Sequence, residues 1–532
     1  MNLLLPLVEY ISLTLVHSGG VIFWIVECIY RYSFDILIRQ KSIKRKINPD
    51  CYWENPKIVG LSRRRSHVPM KAFSSIEEAK DWCRRESRGD DMSVSKNVLM
   101  LSGLSGSPNP SIPWKFALVP DPNSAPIDWY TPAFHDEAWS TTHLPCHWQL
   151  NGYDVPLYTN TTYPFDFNPP FVHRSGKCTM TFCDEACGGV NTGKLSSKEP
   201  GPNATGLYRY DLKLPLDWLN TVSESRFFLV LEGVDSNVDV WLDGTHVGYS
   251  QDSCLPCEFE ITHMFRENET TADRHLLALR VMRWCDGSYL EDQDKWWLSG
   301  VYREIYIIKK GKVMIQDYST ESSVSWNDRN EPISANISTN VAIEFPSNET
   351  FSSSKSNLFI RVEVYEELSE AAVFSGIENL AHDGSFKNLD LANASAKVVE
   401  DQLIEEYSYG CFSINAFIDI AHLHLWSPDQ PFLYFLLISL HNSRGDAELK
   451  RNPIDCASHR FGVREVRIGG PHNQLQLNRR PLIIAGVNRC EFNCNSGRSL
   501  SRVSASYHLV FTKELPNNIF CFTCRKPCER TQ

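Results

Sequence analysis

From about residue 51 onward, apolar residues come in short runs cut by Pro, Gly, Asn and Asp, and few stretches keep a helical 3.6-residue period. Such a chain can bury its apolar residues only in sheets, so the expectation is an all-β architecture. "RFFLVLEGV" (226–234) is a continuous apolar run fit for a buried strand, and "NVDVWLDGTHVGYS" (237–250) alternates around Asp243-Gly244, a tight-turn dipeptide. "HLLALRVMRW" and "REIYIIKK" add two strands, and a second set lies in "NLFIRVEVYEE", "CFSINAFIDI" and "YFLLISLHN". Ser-rich and acidic, Ala-rich stretches at 352–357 and 366–401 are expected to be surface loops of an immunoglobulin-like sandwich spanning about 312–467. Residues 177–202 keep neither period and are expected to be an insertion into the first domain.

With 532 residues and 42% hydrophobic content, the chain can fill several cores. Its net charge of −11 argues against a nucleic-acid partner, which needs a basic face. The 17 cysteines are odd in number and widely spread, which favours a reducing compartment over a disulfide scaffold. Asn-x-Ser/Thr sequons begin at Asn160, Asn203, Asn268, Asn336, Asn348 and Asn393. Within residues 1–50, the stretch 10–26 is uncharged and is followed by Lys41, Lys44, Arg45 and Lys46. Two readings stay open there. One is a membrane anchor, although His17, Ser18, Gly19 and Gly20 interrupt it; the other is an N-terminal extension of no structural consequence.

The densest chemistry is "RWCDGSYLEDQDKWW" (283–297), where Asp286, Glu291, Asp292 and Asp294 sit among three tryptophans and a tyrosine. Carboxylates accept hydrogen bonds from hydroxyls and also bind cations, while indole faces cover the C–H faces of a sugar ring. The competing reading is an acidic turn on a solvated loop. Trp296 and Trp297 are expected mainly to pack, with sugar stacking as the alternative.

The strings "YWENP" (52–56), "HWQLNGYDVPLYTNTTYPF" (147–165), "NPPFV" (168–172), "GYSQDSCLPCEFEI" (248–261), "RWCDGSYLEDQDKWWLSGVYREI" (283–305), "LWSPDQPFLY" (425–434), "RFGVREVRI" (460–468) and "LNRRPLIIAGVNR" (477–489) resemble the N-terminal half of the glycoside hydrolase family 2 β-galactosidases of the large bacterial and plant type. The resemblance implies a jelly-roll sugar-binding domain at 51–311, an immunoglobulin-like sandwich at 312–467, and at 468–532 the truncated start of a catalytic TIM (β/α)8 barrel. It implies a retaining hydrolase of terminal β-D-galactosides, homo-oligomeric in the family. Two side chains from the first domain would reach the sugar: Asn160 of "YTN" and Asp294, the last Asp of "EDQD". Asp294 would also give a partial sodium site, shared in the family with barrel residues; the family's magnesium ligands come later and are absent. A glycan on Asn160 would block that site, so a cytoplasmic protein is expected, with anchoring through residues 10–26 as the alternative.

The 532 residues also depart from the family. Retaining glycosidases need two carboxyl groups about 5–5.5 Å apart, and neither family string that carries them, "W-S-L-G-N-E" or "E-Y-x-H", occurs here. Asn330-Glu331 is the nearest literal match and is expected in a polar loop. Where the family continues "GVNR" with "H-E-H-H-P", this chain has "CEFNCNS" (490–496), keeping Glu491 alone. Cys490, Cys494, Cys521, Cys524 and Cys528 have spacings zinc could use, but an altered, degenerate tail is the preferred reading; Cys254 and Cys257 are expected to pack. No catalytic residue is therefore assigned. The chain alone is expected to be inactive, and Leu482, Ile483 and Ile484 are expected to be exposed. The alternative is a non-catalytic carbohydrate- or partner-binding β-sandwich protein.

Overall fold

The computed structural model describes residues 51–88, 95–103, 112–159, 162–173, 202–266, 274–291, 293, 295–346, 358–366, 372–379, 407–441, 453–470, 473–489, 492–500 and 519–523. The chain divides into two compact units, Met1–Tyr52 and Trp53–Gln532. The description below concerns the second. The insertion expected at 177–202 and the N-terminal apolar stretch fall almost wholly outside the described residues. Of the stretch 366–401, expected to be a surface loop, residues 372–379 instead form a strand paired antiparallel with Phe359–Glu366, and most of the rest lies outside the described residues.

The first sandwich faces a seven-stranded sheet against a four-stranded one. The larger sheet runs Gly60–Leu61, Thr245–Gln251, Asn237–Leu242, His275–Met282, Thr205–Leu212, Pro113–Val119, Ser140–His143. The smaller runs Cys257–Glu260, Ser225–Leu231, Ile305–Gly311, Val98–Met100. All the pairings are antiparallel. The order jumps back and forth along the chain, as a jelly roll requires. Phe227, Leu229 and Leu231 point between the sheets to meet Trp114, Phe116, Tyr208, Val240, Leu277 and Leu279. Phe228 and Val230 face the other way, and they too are covered: Ala72 packs on Val230, and the Arg64 guanidinium lies 4.4 Å from the Phe228 ring centre. That second cover explains why the run is apolar at every position rather than alternating. At the Asp243-Gly244 turn both residues have positive φ (50° and 85°), the type I′ geometry that matches strand twist. Asp243 then accepts from the backbone N–H of Leu276 at 2.7 Å, tying the turn to the neighbouring strand.

The second sandwich packs the sheet Met314–Trp326, Pro332–Pro346, Tyr407–Asp419 against Ala372–Asn379, Phe359–Glu366, Tyr434–His441, Asp455–Phe461. Its core is largely aliphatic: Ile337, Val341, Ile360, Val362, Leu436 and Ile438 are fully buried, with Tyr318 and Tyr434 among them. The helix Ile76–Arg88, preceded in sequence by the first sandwich's edge strand, lies on this second sandwich. Ser75 caps it by accepting from Glu78 N–H at 3.1 Å, and Ile76, Ala79 and Cys83 pack on Tyr365, Phe435 and Leu437. Segment 64–88, placed with the first domain on sequence grounds, thus straddles both sandwiches.

Between the sandwiches runs a charge network. Arg64 bonds Glu258 (2.5 Å) and Glu344 (2.7 Å), Arg226 bonds Glu260 (2.7 Å) and Glu344 (3.0 Å), and Lys310 bonds Asp455 (2.7 Å). Beyond it, Val466–Gly469, Gln474–Leu477 and Arg480–Pro481 make a small antiparallel sheet. Ile483 and Ile484 are exposed, whereas Leu482, expected to be exposed with them, is half-buried against Trp426, Leu433 and Leu477. Ala485–Arg489 then pairs in parallel with Ile519–Thr523. Parallel pairing is what barrel strands do, but two strands do not define a barrel.

Candidate functional site

The strings that carry the expected sugar ligands meet at one end of the first sandwich. Leu157–Tyr158 pairs antiparallel with Trp296–Trp297, placing Tyr158 opposite Trp296 and Leu157 opposite Trp297. The indole N–H of Trp297 donates to Thr159 Oγ1 at 2.8 Å, extending the clasp by one residue. Asn160 and Asp294 themselves lie outside the described residues. What the structure brings together is the segments that flank them, Leu157–Thr159 on one side and Trp296–Trp297 on the other. Trp297 is buried with Leu157, Phe165, Val172 and Trp284 in an aromatic floor, while Trp296 and Tyr158 stay partly open to solvent, their rings 5.7 Å apart.

Two fully buried contacts fix these loops. Arg283, at the exit of the strand His275–Met282, pairs with Asp154 and donates to Val155 O at 2.8 Å, so the guanidinium grips the loop just before Leu157. Asp154 takes a left-handed conformation (φ 62°) to turn its carboxylate inward. Asn203 closes a second ring: its amide donates to Trp284 O and accepts from Trp284 N–H, both at 3.0 Å. Arg283, Asp154, Val155 and Trp284 stand in the strings singled out in the sequence, and Asn203 was marked there only as a sequon. Only their burial, which has no periodic signature, marks them as structural.

The acidic string divides. Asp286 is buried and accepts from the Gln251 amide; burial pushes its carboxyl up to about 6. Glu291 accepts from the Ser253 backbone N–H at 2.9 Å and from the Ser253 hydroxyl; burial, then the nearby Asp235 carboxylate, push it up to about 7. Neither belongs to a solvated acidic turn. Both pin the loop to the end of the strand Thr245–Gln251, while Asp292 and Asp294 lie outside the described residues. Glu331, by contrast, sits in an exposed hairpin turn bonded to Asn327.

Cys257 packs in the sandwich core and Cys254 is half-buried. Among the described residues no group of three His, Cys, Asp or Glu side chains is arranged to hold a metal ion. Of the cysteines considered for zinc, only the exposed Cys494 has a described side chain. Sequence reasoning missed one residue altogether. Arg498, in the segment read as degenerate, is inserted into the first sandwich, where it pairs with Asp235.

The order of the two sandwiches and the clasped aromatic loops define a glycoside hydrolase-like protein. The sugar binding domain of glycosyl hydrolases family 2 matches residues 110–184 and 194–311, breaking within the expected insertion, and the domain described as glycosyl hydrolases family 2 matches 347–464. The chain belongs to glycosyl hydrolases family 2. It is 30% identical over 455 residues to a β-galactosidase of Vibrio vulnificus (strain CMCP6), covering 84% of this chain and 34% of that protein. It is 29% identical over 452 residues to a β-galactosidase of Psychromonas ingrahamii, again covering 84% and 34%. A solved Bacteroides uniformis β-glucuronidase 2, covalently bound to cyclophellitol-6-carboxylate aziridine, superposes with a TM-score of 0.52 at 17% identity, covering 79% of this chain and 39% of that one. This likeness speaks to the fold. The chain thus spans about a third of the length of the curated relatives it matches.

Proposed function

We propose that this chain supplies the galactose-facing N-terminal part of a retaining β-galactosidase, with Asn160 and Asp294 as its sugar ligands. The observation that carries the reading is the pairing of Leu157–Tyr158 with Trp296–Trp297, which joins the segments bearing both residues over an aromatic floor. An amide at Asn160 both donates to and accepts from sugar hydroxyls, and a carboxylate at Asp294 accepts from one. By the family resemblance Asp294 would also be a partial ligand for a sodium ion, which would supply a positive charge coordinating a sugar hydroxyl. Proton delivery to the leaving oxygen and attack at the anomeric carbon need two further carboxyl groups, and neither family string carrying them occurs in the 532 residues.

The location proposed with this reading is the cytoplasm. Cys146, Cys254, Cys257, Cys285, Cys456 and Cys494 are free thiols. Asn203, one of the six sequon residues, is buried with both ends of its amide engaged and could not carry a glycan in this fold. Among the described residues, no helix is long and apolar enough to cross a membrane.

The test is a galactose titration of the purified chain in sodium buffer, followed by ligand-observed NMR. Millimolar affinity, on the order of 4 kcal/mol, is expected for the parent and loss of at least tenfold for Asp294→Ala, with no turnover of a chromogenic β-galactoside by either. Equal binding by parent and variant would remove Asp294 from the site, and sodium-dependent turnover by the parent would show that the catalytic groups lie within these residues.

A further inference from the structure

Segment 492–500 closes on the first sandwich from outside the strands. Asn493 and Gly497 exchange backbone hydrogen bonds at 2.9 and 2.7 Å, making a tight loop that drives residues 497–499 inward. Gly497 has φ 62°, and a Cβ there would stand 2.7 Å from His147 Cδ2 and 2.8 Å from Leu298 Cδ1, so only glycine fits. The next residue, Arg498, makes the directional contacts. Its guanidinium pairs with Asp235, donates to Leu298 O at 2.9 Å and lies 4.3 Å from the Tyr302 ring centre. Its backbone N–H donates to His147 Nε2 at 3.3 Å. Ser499 adds a hydroxyl bond to Pro145 O at 3.2 Å.

These contacts converge on the strip that follows the Trp296–Trp297 strand. His147 Nδ1 lies 3.3 Å from Ser299 O, which can only accept; Nδ1 therefore carries the proton and Nε2 is free to accept from Arg498. One imidazole thus links Ser299 to Arg498, and it stays neutral because burial, then the Arg498 charge, hold its pKa well below the usual range. Ser299 N–H donates to Gln149 Oε1 at 2.9 Å. Leu298 and Ser299 are consequently held by Arg498 on one side and by the 147–149 turn on the other, immediately after the clasp that lies beside the sugar ligands.

We propose that Gly497-Arg498 is a latch that positions the sugar-binding clasp: Arg498, through Leu298 O, Asp235 and His147, fixes Trp296–Trp297 and with it the segments bearing Asn160 and Asp294. Arg498 is a positioning residue and does not touch the sugar. The link to galactose rests on the proposed function, while the latch itself rests on the contacts above.

The experiment compares the full chain with Arg498→Met and Arg498→Lys by hydrogen–deuterium exchange and by the galactose titration. In Arg498→Met, exchange in peptides covering 295–300 and 157–159 is expected to rise at least tenfold while strands such as Thr205–Leu212 are unchanged, and galactose affinity is expected to fall at least fivefold. Arg498→Lys, which keeps the charge without the planar fork, should lie between. It also serves as the reading if the Met variant does not fold. Exchange unchanged at 295–300, or raised equally across the sandwich, would overturn the latch. Local loosening in the variant together with no galactose binding by the parent would keep the latch and sink the proposed function instead.

Discussion

The two sandwiches bury their sheets in similar ways but finish their ends differently. In the second, the core is largely aliphatic and the described hairpin between Met314–Trp326 and Pro332–Pro346 closes with exposed turn chemistry around Asn327. In the first, the end that carries the clasp is tied by buried polar contacts: Arg283 with Asp154, Asn203 with Trp284, Glu291 with Ser253, Arg498 with Asp235. Apolar contact is non-directional and suffices to hold a framework. Holding a loop in one geometry takes directional bonds, and buried ones enforce it because breaking either partner strands a polar group away from water. On the proposed function, the contrast separates the sandwich that would present the site from the one that would serve as scaffold.

The most severe test of this contrast is Arg283→Ala. It leaves Asp154 fully buried without its cation, and losing one partner of such a pair costs about 3–5 kcal/mol. Urea unfolding followed by tryptophan fluorescence should show a midpoint shift of that size, because Trp284 and Trp297 belong to the affected cluster. A cost under about 1 kcal/mol, the range of ordinary exposed pairs, would mean that the pair is incidental and that the two sandwiches do not differ in kind.

The sequence made the framework legible because frameworks are built from periodicity. Apolar runs and the Asp243-Gly244 turn located part of each sandwich, such as Ser225–Leu231, Asn237–Leu242, His275–Met282 and Tyr434–His441, whereas Met314–Trp326 and Pro332–Pro346 went unmarked and Ala372–Asn379 fell in a stretch expected to be a loop. What stayed hidden is what periodicity cannot encode. The helix Ile76–Arg88 hides because its short apolar stripe, Ile76, Ala79 and Cys83, is interrupted by charged residues and is satisfied by a sheet formed hundreds of residues later in the chain. Asp286 and Glu291 look like a solvated acidic cluster until Gln251 and Ser253 fold against them. Arg498 carries no signal at all in a stretch lacking a hydrophobic period; its role exists only because the loop closed by Asn493 and Gly497 delivers it to Asp235. Asn160 and Asp294, carried by resemblance alone, remain a proposal.

A second test concerns the seam between the sandwiches, which has buried ionic contacts of its own and should respond to pH as no aliphatic core does. His67 donates from both ring nitrogens, to Val68 O at 2.8 Å and Glu258 at 2.9 Å. Against the opposing effect of burial, the Glu258 bond and charge raise its pKa. Burial likewise pushes Glu258 up, but His67 and Arg64 outweigh it and hold the carboxyl at about 2. The Glu258 contribution is therefore complete above its unfolded pKa, roughly 4.3, and is lost as pH falls toward 2. The His67 contribution is complete below roughly 6.5 and is lost as pH rises through its higher folded value. Stability at the seam should peak between these limits, by on the order of 3 kcal/mol for Glu258. Thermal melts from pH 3 to 9 should show Glu258→Gln flattening the acid limb and His67→Gln flattening the alkaline one. A profile indifferent to both substitutions would place the seam's stability in its apolar contacts alone.

The smallest effect is expected where the scaffold sandwich turns. Asn330 takes a left-handed φ of 58°, which Asn tolerates well, and Asn327 organises the turn by accepting from the backbone N–H groups of Arg329 and Glu331, both at 2.9 Å. The Glu331 carboxylate contributes one exposed bond, 2.8 Å from the Asn327 amide, while the bond made by its backbone does not depend on its side chain. Glu331→Ala should therefore change stability by no more than about 0.5 kcal/mol, whereas Asn327→Ala, which removes all three bonds, should cost about 1 kcal/mol. Neither should alter galactose affinity, since the turn belongs to the sandwich without the clasp. If Glu331→Ala weakened sugar binding, the Asn-Glu pair would have a part in the site after all, and the division of labour between the two sandwiches would have to be redrawn around the second one.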